Sequence, residues 1–161
     1  LNVSQHEVKR ILDEFHRSKE YKSIQPLEGS QNAIQQLQKK HALHLVTGAA
    51  PFVAEEIRAW TENHFPNAFT DVHFAQSYDS TVVLPSKVQI CRSLNASIIV
   101  DDSLDFAIPC AQAGIKVILM HKRWNEQPKK KDAELGIRRV NWWPEALQQV
   151  ERLTQASRSR Y

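Results

Sequence analysis

The sequence predicts an α/β fold, a parallel sheet covered by helices on both faces. Three observations predict it. Short apolar runs alternate with helical patterns along most of the chain. The runs themselves are short and nearly continuous in apolar residues, as strands buried between two helical layers must be. Polar residues close successive runs, at Thr47-Gly48, Gln76-Ser77, Asp101-Asp102 and His121. In parallel α/β folds ligands gather at the carboxyl ends of the strands.

The elements follow in order. "SQHEVKRILDEFHRS" opens on a capping-box pattern, Ser4 with Glu7, and puts Val8, Ile11, Leu12 and Phe15 on one helical face. "IQPLEGS" breaks that helix. "SQNAIQQLQKK" forms a second one, with Ala33, Ile34 and Leu37 inward. Residues 43–46 form a short strand ending in Thr47-Gly48. "PFVAEEIRAWTENHF" is a helix whose first turn suits Pro51, with Val53, Ile57 and Trp60 as its stripe. "DVHFAQS" is a strand. "SKVQICRSL" is a helix with Ile90, Cys91 and Leu94 inward. "SIIVDDS" is a strand, "SLDFAIPCAQA" a helix containing a proline, and Gly114 its C-terminal cap. "KVILMH" is a strand, "IRRVNWW" a weaker one, and "PEALQQVERL" a closing helix.

A chain of 161 residues, 42% hydrophobic and 24% charged, has the composition of a globular domain able to bury a core. The net charge of +3 is mild, and much of it sits in the lysines at 129–131 and the terminal "SRSRY". Such runs read as a solvated face or a tail rather than a nucleic-acid site. No apolar run approaches the ~18 residues of a membrane span, and no signal peptide is visible. The sequence opens on Leu1 rather than Met, which hints at a processed, trimmed or incompletely represented product. Cys91 and Cys110 fall on apolar helix faces and read as reduced core cysteines of a cytoplasmic or other reducing intracellular compartment.

The strand ends carry the functional signal. Adjacent carboxylates at Asp101 and Asp102 offer hard oxygen ligands suited to Mg²⁺. Thr47 followed by Gly48 offers a hydroxyl and backbone N–H groups to a phosphate. Lys87, at the start of a helix, brings a positive charge for phosphoryl oxygens. Each has a plain structural reading beside it: Thr-Gly as a turn, either aspartate as a helix cap, Lys87 as a surface lysine. Their order at successive strand ends favours phosphate-ester chemistry over the separate readings.

These segments together resemble the haloacid dehalogenase (HAD) superfamily, closest to its 5′(3′)-deoxyribonucleotidase-like branch. "HLVTGA" resembles the second motif of that family, "SKVQICRSL" the third with Lys87 as its lysine, and "SIIVDDSLDFAIPCAQAGIKVILM" the fourth. "EEIRAWTENHFPNAFTDVHF" and "HKRWN" match segments between and after the motifs, and the likeness runs from about Ile24 to about Leu153. The resemblance implies a Rossmann-like (HAD-like) sheet and a Mg²⁺-dependent phosphohydrolase using an aspartyl-phosphate. It assigns Thr47, Gly48 and Lys87 to the phosphate, Asp102 and its neighbour Asp101 to the metal, and Asp105 to orienting that shell. It also implies a helical segment at 1–25 as the remnant of a cap, a core over 26–155 and a basic tail at 156–161.

One departure governs the functional expectation. The first motif of the family, a strand ending in Asp-x-Asp-x-Thr, is missing: Asp13 is the only aspartate before Lys40, and it lies in a helical pattern. The nucleophile, the acid/base and part of the metal shell are therefore absent, so no catalytic residue is assigned and Mg²⁺ binding is expected to be weak or vestigial. In the family that strand is central, between those ending at Thr47 and Asp101. Without it, these two either pair directly in a four- or five-stranded sheet or receive a strand from elsewhere, because unpaired buried backbone groups cost about 1–3 kcal/mol each.

Three readings follow. The first is a catalytically silent HAD-like protein that acts by binding or regulation. The second is an incomplete chain of an active nucleotidase. The third is a small Mg²⁺- or phosphate-binding module. The expected partners are a protein or second chain that supplies or covers the missing strand, and a phosphate or nucleotide; neither membrane nor nucleic acid is expected. "KRWNEQPKKK" and "NWWPE" are candidate interface segments, since tryptophan with arginine anchors interfaces. Trp142 and Trp143 packed beneath the last helix is the plainer alternative.

Overall fold

The strands expected from the apolar runs all form, and every pairing between them is parallel. The computed structural model describes residues 4–76, 83–126 and 129–158. The chain divides into two units, Leu1–Pro26 with Ile34–Pro85 and Leu27–Ala33 with Ser86–Tyr161.

The first unit begins with α1 (Gln5–Arg17), whose cap is as the sequence implies. Ser4 accepts the Glu7 N–H through its side chain while the Glu7 carboxylate accepts the Ser4 N–H. The short α2 (Lys19–Lys22) follows, capped by Ser18. The sequence pattern did not separate α2 from α1, because a four-residue helix shows no periodicity. The apolar residues of α1 share one face, but Ile11 is 51% and Phe15 46% exposed. Phe15 instead meets the rings of His16 and Tyr21 edge-on, while the Val8 side chain lies outside the described residues. Next in sequence comes α3 (Ser30–Leu37), whose residues up to Ala33 fall in the second unit and the rest in the first, with Ala33, Ile34 and Leu37 buried as its spacing predicts.

The sheet of this unit pairs β1 (His44–Thr47) with β2 (Asp71–Phe74), in a register running from His44 opposite Asp71 to Thr47 opposite Phe74. Between them run a 3₁₀ turn at Pro51–Val53 and α4 (Ala54–His64). Proline suits that first turn because it has no N–H to leave unpaired there. Val53, Ile57 and Val72 form the core of this unit, with Leu45, Ala49 and Phe74 packed against it. Side chains alternate along a strand, so this apolar face holds Leu45 of β1 with Val72 and Phe74 of β2.

In the second unit β4 (Lys116–Met120) lies at the centre of a sheet ordered β3-β4-β5, where β3 is Ile98–Asp101 and β5 is Arg138–Val140. Four consecutive residues of β4 are buried, which requires cover on both faces. On one face Val117 and Leu119 cluster with Cys91 of α5 (Lys87–Ser93) and with Ala107 and Cys110 of α6 (Leu104–Gln112). Ile118 and Met120 alternate to the other face. The closing helix α8 (Trp143–Arg158), with Ala146, Val150 and Leu153 buried, packs on β4 and β5. The six-residue α7 (Lys129–Glu134) precedes β5.

Gly114 ends α6 in the left-handed region at φ 82°. Its N–H donates to Ala111 O and that of Ile115 to Cys110 O, the paired bonds that close a helix C-terminus where only glycine fits without strain. Cys91 and Cys110 are buried and unbridged. A thiol hydrogen bond to Cys91 and burial push the Cys110 thiol up. No helix among the described residues is long and apolar enough to cross a membrane.

Direct pairing of the strands that end at Thr47 and Asp101 is not what forms. β1 pairs with β2 and β3 with β4, giving sheets of two and three strands in place of one. Among the described residues β1 and β3 are therefore each hydrogen-bonded along one side only.

Leu119 is fully buried between α5 and α6. Its truncation, Leu119→Ala, is expected to lower stability by about 2–5 kcal/mol through lost transfer energy and a cavity. Ile11→Ala, on the exposed stripe, is expected to change stability by under about 0.5 kcal/mol. Urea unfolding of both variants checks the pair.

Candidate functional site

The carboxyl end of β3 is built by the residues on either side of it. Ile98, Ile99 and Val100 are β-branched and hold the strand extended. Asp101 closes it and is buried. On the preceding element, Ser86 caps α5: its hydroxyl accepts the Gln89 N–H while the Gln89 side chain accepts the Ser86 N–H. This fixes Lys87 as the first helical residue. Lys87 is buried too, and its ammonium donates to Asp101 Oδ2 at 2.6 Å. The same ammonium lies 4.3 Å from the centroid of the Phe106 ring on α6. A buried lysine is tolerable only with a partner of opposite charge, and Asp101 with the aromatic face supplies the compensation.

The other oxygen of Asp101 is also occupied. Oδ1 accepts the N–H groups of Asp102 and Ser103, each at 2.9 Å, just before α6 begins. Asp101 thus closes the turn before α6 and holds an ion pair, but it does not cap the helix: the N-cap is Ser103, whose side chain makes no capping bond. With two backbone donors and an ammonium on its two oxygens, Asp101 is a positioning residue.

Asp102 is held by its backbone instead. Its carbonyl accepts from Trp124 Nε1 at 3.2 Å and Asn125 Nδ2 at 2.8 Å. Its half-buried carboxylate makes no hydrogen bond or ion pair among the described residues. Asn125 is fully buried and uses its whole amide. Nδ2 also donates to Met120 O, and Oδ1 accepts from the Lys122 N–H and from Arg139 Nη1. Arg139, on β5, is ion-paired with buried Asp132 of α7. One side chain therefore ties the ends of β3, β4 and β5 together, in the 3₁₀ turn at Arg123–Asn125. The sequence pattern missed Asn125, since a polar residue in "HKRWNEQ" reads as a solvent-facing loop. The tryptophan before it and the strand end three residues upstream of that turn were the only signals.

Asp105 is exposed in the first turn of α6, where a negative charge suits the helix dipole. Thr47 and Gly48 belong to the first unit, and Lys87, Asp101, Asp102 and Asp105 to the second. Thr47 Oγ1 accepts the Ala49 N–H at 3.1 Å, so the turn reading of Thr-Gly holds. That bond uses a lone pair of the hydroxyl and leaves its proton available to an anion. Gln76 donates its N–H to Pro85 O, while Ser77 lies outside the described residues.

Among the described residues no three His, Cys, Asp or Glu side chains gather as a metal-holding group. A hard cation at Asp102 would thus meet one unpaired carboxylate, with water supplying the rest of its shell. Of the candidate interface residues, Trp124 is 69% and Trp142 57% exposed, whereas Trp143 is half-buried at the start of α8. The lysines of 129–131 lie outside the described side chains.

No protein-family model matches the chain, and no curated protein matches it.

The Lys87–Asp101 pair tests the site energetically. Asp101→Ala leaves an uncompensated buried ammonium and is expected to destabilise by about 3–5 kcal/mol. The double change Lys87→Met with Asp101→Leu removes both charges and is expected to recover much of that loss. Chemical denaturation of the single and double variants gives the comparison.

Proposed function

We propose that this chain is a HAD-like domain derived from a Mg²⁺-dependent phosphohydrolase, silent in catalysis as it stands, and that it works by binding. The observation that carries this reading is the Lys87–Asp101 ion pair at the carboxyl end of β3. In the family that the sequence resembles, the motif lysine screens the nucleophile and the phosphate. Here its ammonium is held by Asp101, and both oxygens of Asp101 are engaged. A carboxylate so engaged has little freedom to attack phosphorus. The only strand-end carboxylate without a partner among the described residues is Asp102, which suits a cation better than a nucleophilic role.

Two kinds of binding fit the remaining groups. In the first unit Thr47 and Gly48 are the residues that the resemblance assigns to a phosphate or nucleotide; in the second, with Lys87 and Asp101 engaged by each other, Asp102 is the carboxylate left for a weakly held Mg²⁺. The sides of β1 and β3 that pair with no strand among the described residues support a protein partner, because an unpaired parallel edge offers N–H and C=O groups in register for an added strand. The second reading, an active nucleotidase whose nucleophile strand lies outside this sequence, draws on the same two edges. Two buried, unbridged cysteines support a reducing intracellular compartment.

Purified chain incubated with Mg²⁺ and p-nitrophenyl phosphate or nucleoside monophosphates is expected to show no turnover above the uncatalysed rate. Mg²⁺-dependent turnover that disappears in Lys87→Ala and Asp102→Ala overturns the silent reading. Adding a peptide that carries an apolar strand ending in Asp-x-Asp-x-Thr separates the two readings: recovered hydrolysis selects the nucleotidase, and a folded but silent complex selects the binding protein.

Calorimetric titration with MgCl₂ is expected to detect weak binding at most, since Mg²⁺ demands near-octahedral oxygen ligation and dehydrates reluctantly. Micromolar affinity abolished by Asp102→Ala contradicts this expectation.

A further inference from the structure

The two strands of the first unit carry a histidine pair that the phosphate reading does not use. His44 on β1 and His73 on β2 are diagonal neighbours, since His44 stands opposite Asp71 and His73 opposite Val46. Alternation puts both on the face opposite Leu45, Val72 and Phe74. His44 Nδ1 lies 3.1 Å from His73 Nε2. The ring centroids are 5.2 Å apart with planes tilted by 43°, so the rings converge through their nitrogens rather than stack. Both residues are half-buried, held by the sheet yet open to solvent.

We propose that His44 and His73 form a chelating site for a divalent transition-metal ion of the copper and zinc class, completed by water. The separation fits the bite of such an ion: with metal–nitrogen bonds of about 2.0–2.1 Å, two nitrogens stand about 3.3 Å apart on tetrahedral Zn²⁺ and about 2.9 Å apart at cis positions of tetragonal Cu²⁺. The pair at 3.1 Å needs to adjust by only a few tenths of an ångström for either. In the neutral metal-free pair one ring donates a proton across the gap. Binding moves that proton to the outer nitrogen of its own ring, Nε2 of His44 or Nδ1 of His73. Both facing nitrogens then offer lone pairs, with no net proton released.

The neighbouring carboxylate does not join the pair. Asp71 Oδ1 accepts from Arg58 Nη1 at 2.9 Å and from the Val72 N–H at 2.7 Å. The Arg58 guanidinium beside Asp71 holds its carboxyl below the usual range. No third His, Cys, Asp or Glu forms a group with the two imidazoles among the described residues. The site is therefore a two-imidazole clasp with open positions, unlike a closed four-ligand structural zinc site. Imidazole ligands favour Cu²⁺ over Zn²⁺ and accept neither as poorly as they accept Mg²⁺, so this site is chemically distinct from the oxygen site at Asp102.

The test uses untagged protein titrated calorimetrically with CuCl₂, ZnCl₂ and MgCl₂. One equivalent of Cu²⁺ and, more weakly, of Zn²⁺ is expected to bind. His44→Gln and His73→Gln are each expected to weaken binding by no less than the roughly 10–100-fold that even an outer-shell substitution brings. Failure to bind Cu²⁺ or Zn²⁺, or affinity unchanged in both variants, overturns the proposal. Nitrogen-15 spectra of the wild-type imidazoles with Zn²⁺ keep the test independent of variant folding. Shifts at His44 Nδ1 and His73 Nε2 support the site, and shifts confined to other histidines overturn it.

Discussion

The second unit is organised around one buried charge pair. Lys87 and Asp101 lie on elements fourteen residues apart in sequence, and their contact fixes α5 against the end of β3. The remaining lone pairs of Asp101 draw in the N–H groups that turn the chain from β3 into α6. Phe106, two residues into that helix, closes over the ammonium. Strand, preceding helix and following helix are thus positioned by two side chains. Such an arrangement has little tolerance for partial change. A buried ion pair is not strongly stabilising compared with apolar residues of the same volume, but each half is strongly destabilising without the other.

Much of the fold was legible in the sequence because its signals are local. The Ser4–Glu7 capping box, Pro51 in a first turn and Gly114 after α6 each encode a backbone geometry within a few residues. The apolar runs gave the strands because a doubly covered parallel strand has little room for polar residues. What was not legible depends on the third dimension. The burial of α1 could not be inferred from its stripe, since periodicity says which residues share a face and not whether a neighbour covers it. The division of the strands into two sheets depends on which edges meet, and apolar composition is the same for edge and centre.

The site shows the same limit. Residue type and strand-end position identified Lys87, Asp101 and Asp102, and the ion pair brings the first two together. The division of labour between the aspartates was not visible, because it depends on which carboxylate the backbone of the turn engages. Asn125 was invisible for a related reason. Its importance lies in four hydrogen bonds to groups from three strand ends, and a sequence shows none of them. The His44–His73 pair needed the strand register: the two are 29 positions apart and meet only because β1 and β2 align as they do.

The single-sided pairing of β1 and β3 has a consequence for the protein as a material. A strand edge without a partner is a template, and natural sheets blunt such edges with charge, proline or a bulge. Neither β1 nor β3 carries Lys or Pro, and the one acidic residue, Asp101 at the end of β3, is buried and ion-paired. An added strand from a second copy of the chain would pair with such an edge through the same backbone groups that pair β1 with β2 and β3 with β4.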